Sequence, residues 1–482
     1  MPHDADRPAT FGEVFAVREY RAVFAASTLS WIGDYVSKVA ITYLIFKDTE
    51  SALLSAAAFA ISYLPWVAGG PMLAAIAERY PYRTVMIVCD VVRVFLIASL
   101  AIPGMPLPAL LGLLFIASLL APPEKAARSA MLPLILTGDR YVVGLSVQNM
   151  VSQAAQVGGY AAGGAVAALV NPRAALLLDA ATFALSALLV WRGVRHRPSV
   201  MKQEHRSHLL KETAEGIRVV FGHRVLRAIA LVVFASVVVV IVPEGLAAAW
   251  SGELGGEPWR AGLLMASLPF GNVLGALVVS RFMAPRTRLK IIRPMALIAP
   301  LALIPALLDP PYPVVVVISA LAGFGSAVLM PLNGLFVQVL PNAYRARAFG
   351  VMLGGMQMLH AISVLAAGAI AERVPVPLVV GAWACAGLVL IGTAAARWPS
   401  MSVIDTEIER VKALNENKSD PEPDSGGTDS DGTRPEEPEP SPVGAPASGN
   451  GSGSDGPGHA TSRGSSATPQ TASPEKEANA PA

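Results

Sequence analysis

The chain has 482 residues, 53% of them hydrophobic and only 15% charged, with a mean hydropathy of +0.51 despite a polar final stretch. A soluble protein carries roughly a quarter charged residues, so a water-soluble globular fold is excluded for most of the length. The net charge of +2 sums over several compartments and points to no nucleic-acid partner, and two cysteines, Cys89 and Cys385, both inside apolar runs, are too few for a disulfide framework or a thiolate metal site.

In chain order, residues 1–21 form a polar arm without a cleavable signal peptide, because the first apolar stretch is long enough to span. Six apolar runs fill 22–192, at about 22–46, 52–77, 84–102, 107–122, 145–170 and 174–192. A basic cytoplasmic linker covers 193–227. Six more runs fill 228–397, at about 228–250, 259–284, 291–308, 312–340, 350–371 and 376–396. Over 398–416, Val403, Ile404, Ile408, Val411 and Leu414 recur at helical spacing and suggest a short amphipathic helix. From 417 to 482 Pro, Gly, Ser, Asp and Glu dominate, which predicts a disordered cytoplasmic tail. Each span takes about 20 apolar residues. The expected fold is an all-α membrane protein of twelve transmembrane helices in two pseudo-symmetric six-helix halves.

Charge sets the expected orientation. The loops placed outside hold four basic residues, Lys47, Arg173, Arg260 and Arg373; the loops placed inside, with the N-terminal arm, hold twenty-four. The positive-inside rule then puts both termini in the cytoplasm, which requires an even number of spans. A weak internal repeat supports two halves. Pro123 precedes Leu132-Pro133 by the same spacing that separates Pro331 from Leu340-Pro341.

Residues 69–93, GGPMLAAIAERYPYRTVMIVCDVVR, resemble the loop 2–3 signature of the major facilitator superfamily, roughly G-x-x-x-D-R-x-G-R-R. With Asp90 and Arg93 inside span 3, and Ser30, Gly33 and Asp34 in span 1, the pattern is similar to the branch of macrolide-efflux and enterobactin-export proteins. Gln338 to Pro341, followed by Arg345 and Arg347, adds to the likeness. Glu78 stands where the family has Asp, and Pro81-Tyr82 where glycine is common. The resemblance implies that Gly70, Glu78, Arg79, Arg83, Asp90 and Arg93 form a gating clamp at the inner ends of the helices. In span 5, Gly158, Gly159, Gly163 and Gly164 resemble an exporter-associated glycine motif, with Tyr160 in place of its proline. Glycines at this spacing also let two helices pack closely.

Intramembrane charges are functional candidates. Asp34 and Lys38 lie four apart on one face of span 1, either as a tuned substrate- or proton-binding pair or as a permanent structural ion pair. Glu244 follows Pro243 in span 7, where a helix break would turn it toward the cavity, unless it lies among the outer headgroups. His360 suits either a proton relay or a bond to a neighbouring helix. Trp31, Tyr35, Asn149, Gln153 and Gln156 are candidate cavity residues. Glu124, Lys125 and Arg128 are assigned to the interface as snorkelling side chains.

No Gly-Lys dipeptide, zinc-type His/Cys spacing or nucleophile elbow occurs, so no enzyme, cofactor or metal is expected. The expected function is a monomeric, multi-pass transporter of the plasma membrane. Proton-coupled export of amphipathic small molecules leads. An importer or uniporter of the same fold, or a membrane scaffold or sensor acting through the tail, is the alternative.

Overall fold

The computed structural model describes residues 9–68, 79–197 and 209–416. Within them the chain is helical and contains no strand. After a short arm helix α1 (Phe11–Ala16) come α2 (Arg18–Thr49), α3 (Ala52–Ile61) with its continuation α4 (Leu64–Ala68), α5 (Tyr82–Leu100), α6 (Leu107–Leu119), α7 (Ala121–Ile135), α8 (Asp139–Leu169) and α9 (Pro172–Gly193). The second series is α10 (Leu209–Gly222), α11 (Arg224–Gly245), α12 (Ala247–Glu253), α13 (Pro258–Phe282), α14 (Pro285–Lys290), α15 (Ile292–Leu303), α16 (Tyr312–Ser326), α17 (Leu329–Val339), α18 (Arg345–Ala371), α19 (Val376–Ala396) and α20 (Met401–Glu416).

Every apolar run read from the sequence is occupied by a helix or by two consecutive helices, although the run at 52–77 is described only to Ala68. Among the described residues seven helices are long and apolar enough to cross a membrane. The others are shorter or more charged; α2 is long enough at 32 residues but carries Asp34, Lys38 and Lys47. The Pro…Leu-Pro repeat has a structural meaning. It marks two broken helices, one interrupted between α6 and α7 at Leu120, the other between α16 and α17 at Ala327–Val328. Pro122 and Pro123 sit in the first turn of α7, where a missing N–H costs no intrahelical bond. The helix therefore continues to Ile135, thirteen residues beyond the end expected from hydropathy at 122.

One bundle face carries the start of α2 and the end of α19, with α20 packed on α17; we call it the terminal face. There Glu19 pairs with Arg195 and Arg197, Glu215 with Arg347, and His223 with Glu407. The opposite, distal face is drawn shut between the two helix series. Glu372, at the end of α18, accepts bonds from Ser51 Oγ (2.7 Å) and the Leu53 N–H (2.8 Å) at the start of α3. Tyr43 donates to the Gly256 carbonyl oxygen at 2.5 Å. Below these bonds Gly164 on α8 meets Gly262 on α13; a β-carbon on Gly164 would lie 2.8 Å from the Gly262 Cα.

Candidate functional site

The first six spans interrupt their apolar packing with a layer of charge. One apolar cluster, with Val23, Met86, Met131 and Val190, lies toward the terminal face; another, with Ile41, Ile97, Leu110 and Leu176, lies toward the distal face. Between them, in register on four helices, sit Asp34 and Lys38 on α2, Asp90 and Arg93 on α5, Glu124, Lys125 and Arg128 on α7, and Asp179 on α9. Asp90, Arg93, Glu124, Arg128 and Asp179 are all buried.

The expected Asp34–Lys38 pairing along one helix gives way to pairing between helices. Arg93 Nη1 lies 3.8 Å from Asp34 Oδ2. Its Nε donates to the Ala117 carbonyl oxygen at 3.3 Å, and the guanidinium stands 5.1 Å over the Phe183 ring. Lys38 Nζ turns instead to aromatic rings, 4.2 Å from the Phe59 centroid and 4.7 Å from that of Tyr63, with the Tyr63 hydroxyl at 3.5 Å. Asp90 accepts from Ser186 Oγ at 2.6 Å, and its other oxygen is buried without a partner. Arg83 donates to the Trp191 carbonyl oxygen at 2.5 Å, and Arg79 is exposed. Asp90 and Arg93 thus belong to the charged layer rather than to a cluster with Arg83; Gly70 and Glu78 lie outside the described residues.

The interfacial assignment of the span 4 charges is corrected. Because α7 continues past 122, Glu124 and Arg128 form a buried ion pair one turn apart. Arg128 stands 5.2 Å over the Trp31 ring, and Lys125 Nζ 5.1 Å over Trp66. Two of the twenty-four basic residues counted in loops are therefore helical and face the interior, which leaves the charge imbalance large. Asp179 was not singled out from sequence. It is fully buried, accepts from Thr182 Oγ1 at 3.3 Å and has one oxygen without a partner. Gly33 lets α2 press against it, since a β-carbon there would strike both Thr182 Oγ1 and Asp179 Oδ1. The available signal was a lone carboxylate in the run at 174–192.

A cavity of about 290 Å³ opens beside the layer, lined by Trp31, Asp34, Tyr35, Lys38, Lys125 and Gln357 among others. Asp34, 48% exposed, is the more open of the two acids that line the space, the other being the buried Glu124. The second helix series adds Glu244. Its helix passes Pro243 and stops at Gly245, and the carboxylate is buried, accepting from Tyr160 Oη at 2.6 Å. Glu244 therefore points inward and not to headgroups. Tyr160, the departure from the glycine motif, is fully buried and edge-on to Tyr35, with centroids 5.0 Å apart. His360 stands 5.1 Å from Tyr63 and 3.4 Å from Gln357 Oε1.

The glycine motif divides by neighbour. A β-carbon on Gly159 would approach Tyr35 Cβ (2.7 Å), one on Gly163 the Val36 carbonyl oxygen (2.8 Å), while Gly158 faces open space. Gln153 donates to Asn272 at 3.4 Å, joining α8 to α13; neither it nor Asn149 or Gln156 lines the cavity.

A family model described as Major Facilitator Superfamily matches residues 23–352. The chain is 24% identical over 407 residues to the multidrug efflux pump Tap of Mycobacterium tuberculosis and of Mycobacterium bovis, covering 80% of this chain and 94% of each relative. Its fold is similar to the nucleoside transporter NupG (TM-score 0.63, 14% identity, 79% of this chain and 99% of that one). A POT family transporter crystallised with a thioalcohol-conjugated peptide gives TM-score 0.63 at 13% identity, covering 81% and 96%. A bacterial homologue of the lysosomal transporter Spinster gives 0.60 at 15%, covering 82% and 98%.

Proposed function

The chain belongs to the major facilitator superfamily, and from that premise we propose that it is a proton-coupled exporter of amphipathic small molecules working by alternating access in the plasma membrane. The observation that carries the proposal is the cavity-facing Asp34 held by Arg93 at 3.8 Å. A proton arriving on Asp34 removes the charge that holds Arg93; its departure restores the pair. An ion pair that exists in one protonation state and not in the other couples proton binding to the tie between α2 and α5, both of which pack on α9. Glu244, bonded to Tyr160 across the two helix series and outside the cavity's lining, is the acid through which a change of charge at Lys38 reaches the second series.

Placing both termini in the cytoplasm makes the distal face the outer one, and the bonds that tie the two helix series there support a state that admits cargo from the cytoplasm. Export is favoured by the likeness to a pump named for multidrug efflux. Energy comes from an ion gradient, since the sequence carries no P-loop lysine. In inverted vesicles, lumen acidification drives accumulation of a lipophilic substrate, and Asp34→Asn abolishes the gradient-driven part. Accumulation that ignores the proton gradient would sink the coupling, and loss of substrate from the lumen on acidification would reverse the direction.

A further inference from the structure

We infer that the cavity takes an amphipathic organic anion, an aromatic or apolar body bearing a carboxylate that seats between Lys38 and Lys125. The inference rests on the transporter reading above and names its cargo class.

The cavity wall holds four cations, Lys38, Arg93, Lys125 and Arg128, against two carboxylates, Asp34 and Glu124. The pairing is already spoken for: Arg93 takes Asp34 and Arg128 takes Glu124. Neither Lys38 nor Lys125 has a carboxylate oxygen within 4.0 Å among the described residues. The acids whose fields reach Lys38 are Glu244 and Asp34, the first bound by Tyr160 and the second by Arg93. The acid that reaches Lys125 is Glu124, bound by Arg128.

Both ammoniums rest on rings instead, Lys38 on Phe59 and Tyr63 and Lys125 on Trp66. A ring face attracts a cation through its quadrupole but has no net charge. The positive charge is therefore steadied and not cancelled. Two such ammoniums, on α2 and α7, give the cavity's lining two more cations than carboxylates, with Asp90, Asp179 and Glu244 buried behind it, and a ligand carboxylate supplies the direct contact that neither lysine has. Trp31, Tyr35, Tyr63 and Trp66 provide the apolar walls of such a site. A cationic amphipath, by contrast, would meet two like charges and find three of those rings already covered by Lys38, Lys125 and Arg128.

The test uses the full chain in phosphatidylcholine nanodiscs, whose headgroups carry no net negative charge. Three probes share one body: 2-naphthylacetate, protonated 2-naphthylethylamine and 2-naphthylethanol. Equilibrium dialysis gives their affinities. The carboxylate binds about tenfold or more tighter than the amine, as expected for a charge-assisted contact. Lys38→Gln and Lys125→Gln each weaken the carboxylate about fivefold and leave the alcohol unchanged, which also shows that the variants fold; Lys→Arg at either position restores it. Equal or tighter binding of the amine overturns the inference, as does undiminished carboxylate affinity in both glutamine variants. The assay needs no gradient. A carboxylate that binds but is not moved by protons leaves this inference standing and removes the coupling; proton-driven flux of the amine without carboxylate binding does the reverse.

Discussion

The helices of 18–193 and those of 224–396 bury different things. Among the described residues the first series buries five Asp, Glu and Arg side chains, and its apolar packing is split into separate clusters above and below them. The second series buries one, Glu244, and packs most of its apolar side chains into a single continuous cluster. Similar spans therefore serve two physical tasks. The first series keeps polar groups at mid-depth by pairing them with one another, which creates a site whose charge can be altered. The second packs its apolar side chains around a single buried acid, Glu244, which is bonded to Tyr160 of the first series.

The contrast is broken most severely by removing one partner of the buried layer. Arg128→Leu strands Glu124, and losing one member of a buried pair costs about 3–5 kcal/mol. The expected result is a sharply lowered unfolding midpoint in detergent, largely recovered by Glu124→Gln in the same chain. Glu244→Gln in the second series keeps an acceptor for Tyr160 and shifts the midpoint by about 1 kcal/mol or less. Equal effects in the two series would erase the distinction.

Next in size is the contact between the series. Gly164→Leu drives a side chain into the Gly262 backbone, and overpacking of this kind costs about 1–3 kcal/mol. Gradient-driven uptake into inverted vesicles falls, whereas Gly158→Ala, with nothing within 4 Å of its β-carbon, transports normally. A normal rate for Gly164→Leu is incompatible with the described crossing. Tyr160→Phe follows: it removes a hydrogen bond to a carboxylate, worth about 1.5–3 kcal/mol, and shifts the acid limb of the transport pH profile, since Glu244 loses its donor.

The smallest effect lies on the distal face. Bonds from Ser51 and the Leu53 N–H hold the Glu372 carboxyl below the usual carboxylate range. A group whose latched pKa is lowered supports the latch fully above its ordinary value of 4.5 and loses that support as pH falls through the lowered one. A cysteine introduced at Ala52 is therefore labelled from the distal side at a rate that, divided by that of a fully exposed reference thiol at the same pH, rises only below about pH 4.5, and in Glu372→Gln the rise is absent.

The helices were legible because twenty apolar residues in a row admit few readings, and the break in span 7 was legible from Pro243. What hydropathy concealed were charges inside a span. Averaging over a window lets one carboxylate, Asp179, vanish among leucines and alanines. The charged stretch from Glu124 to Arg128 reads as the end of a helix when only its own neighbours are considered. Partner choice was beyond reach for another reason. The partner of Asp34 is 59 residues away in sequence, on a helix whose rotation is set by packing, while the nearer Lys38 is drawn off by two rings. Tyr160, a defect in a motif, proved to be a donor to Glu244, a role that only the facing helix discloses.

The glycine crossing also bears on speed. Helices that interlock through large side chains must lift each one out of its slot before either can turn. At Gly164 and Gly262 two bare backbones touch, so under the alternating access proposed above no side chain has to be lifted at this contact for one series to turn against the other. Filling that contact is expected to slow the exchange between states more than it alters their balance, a signature seen in turnover and not in affinity.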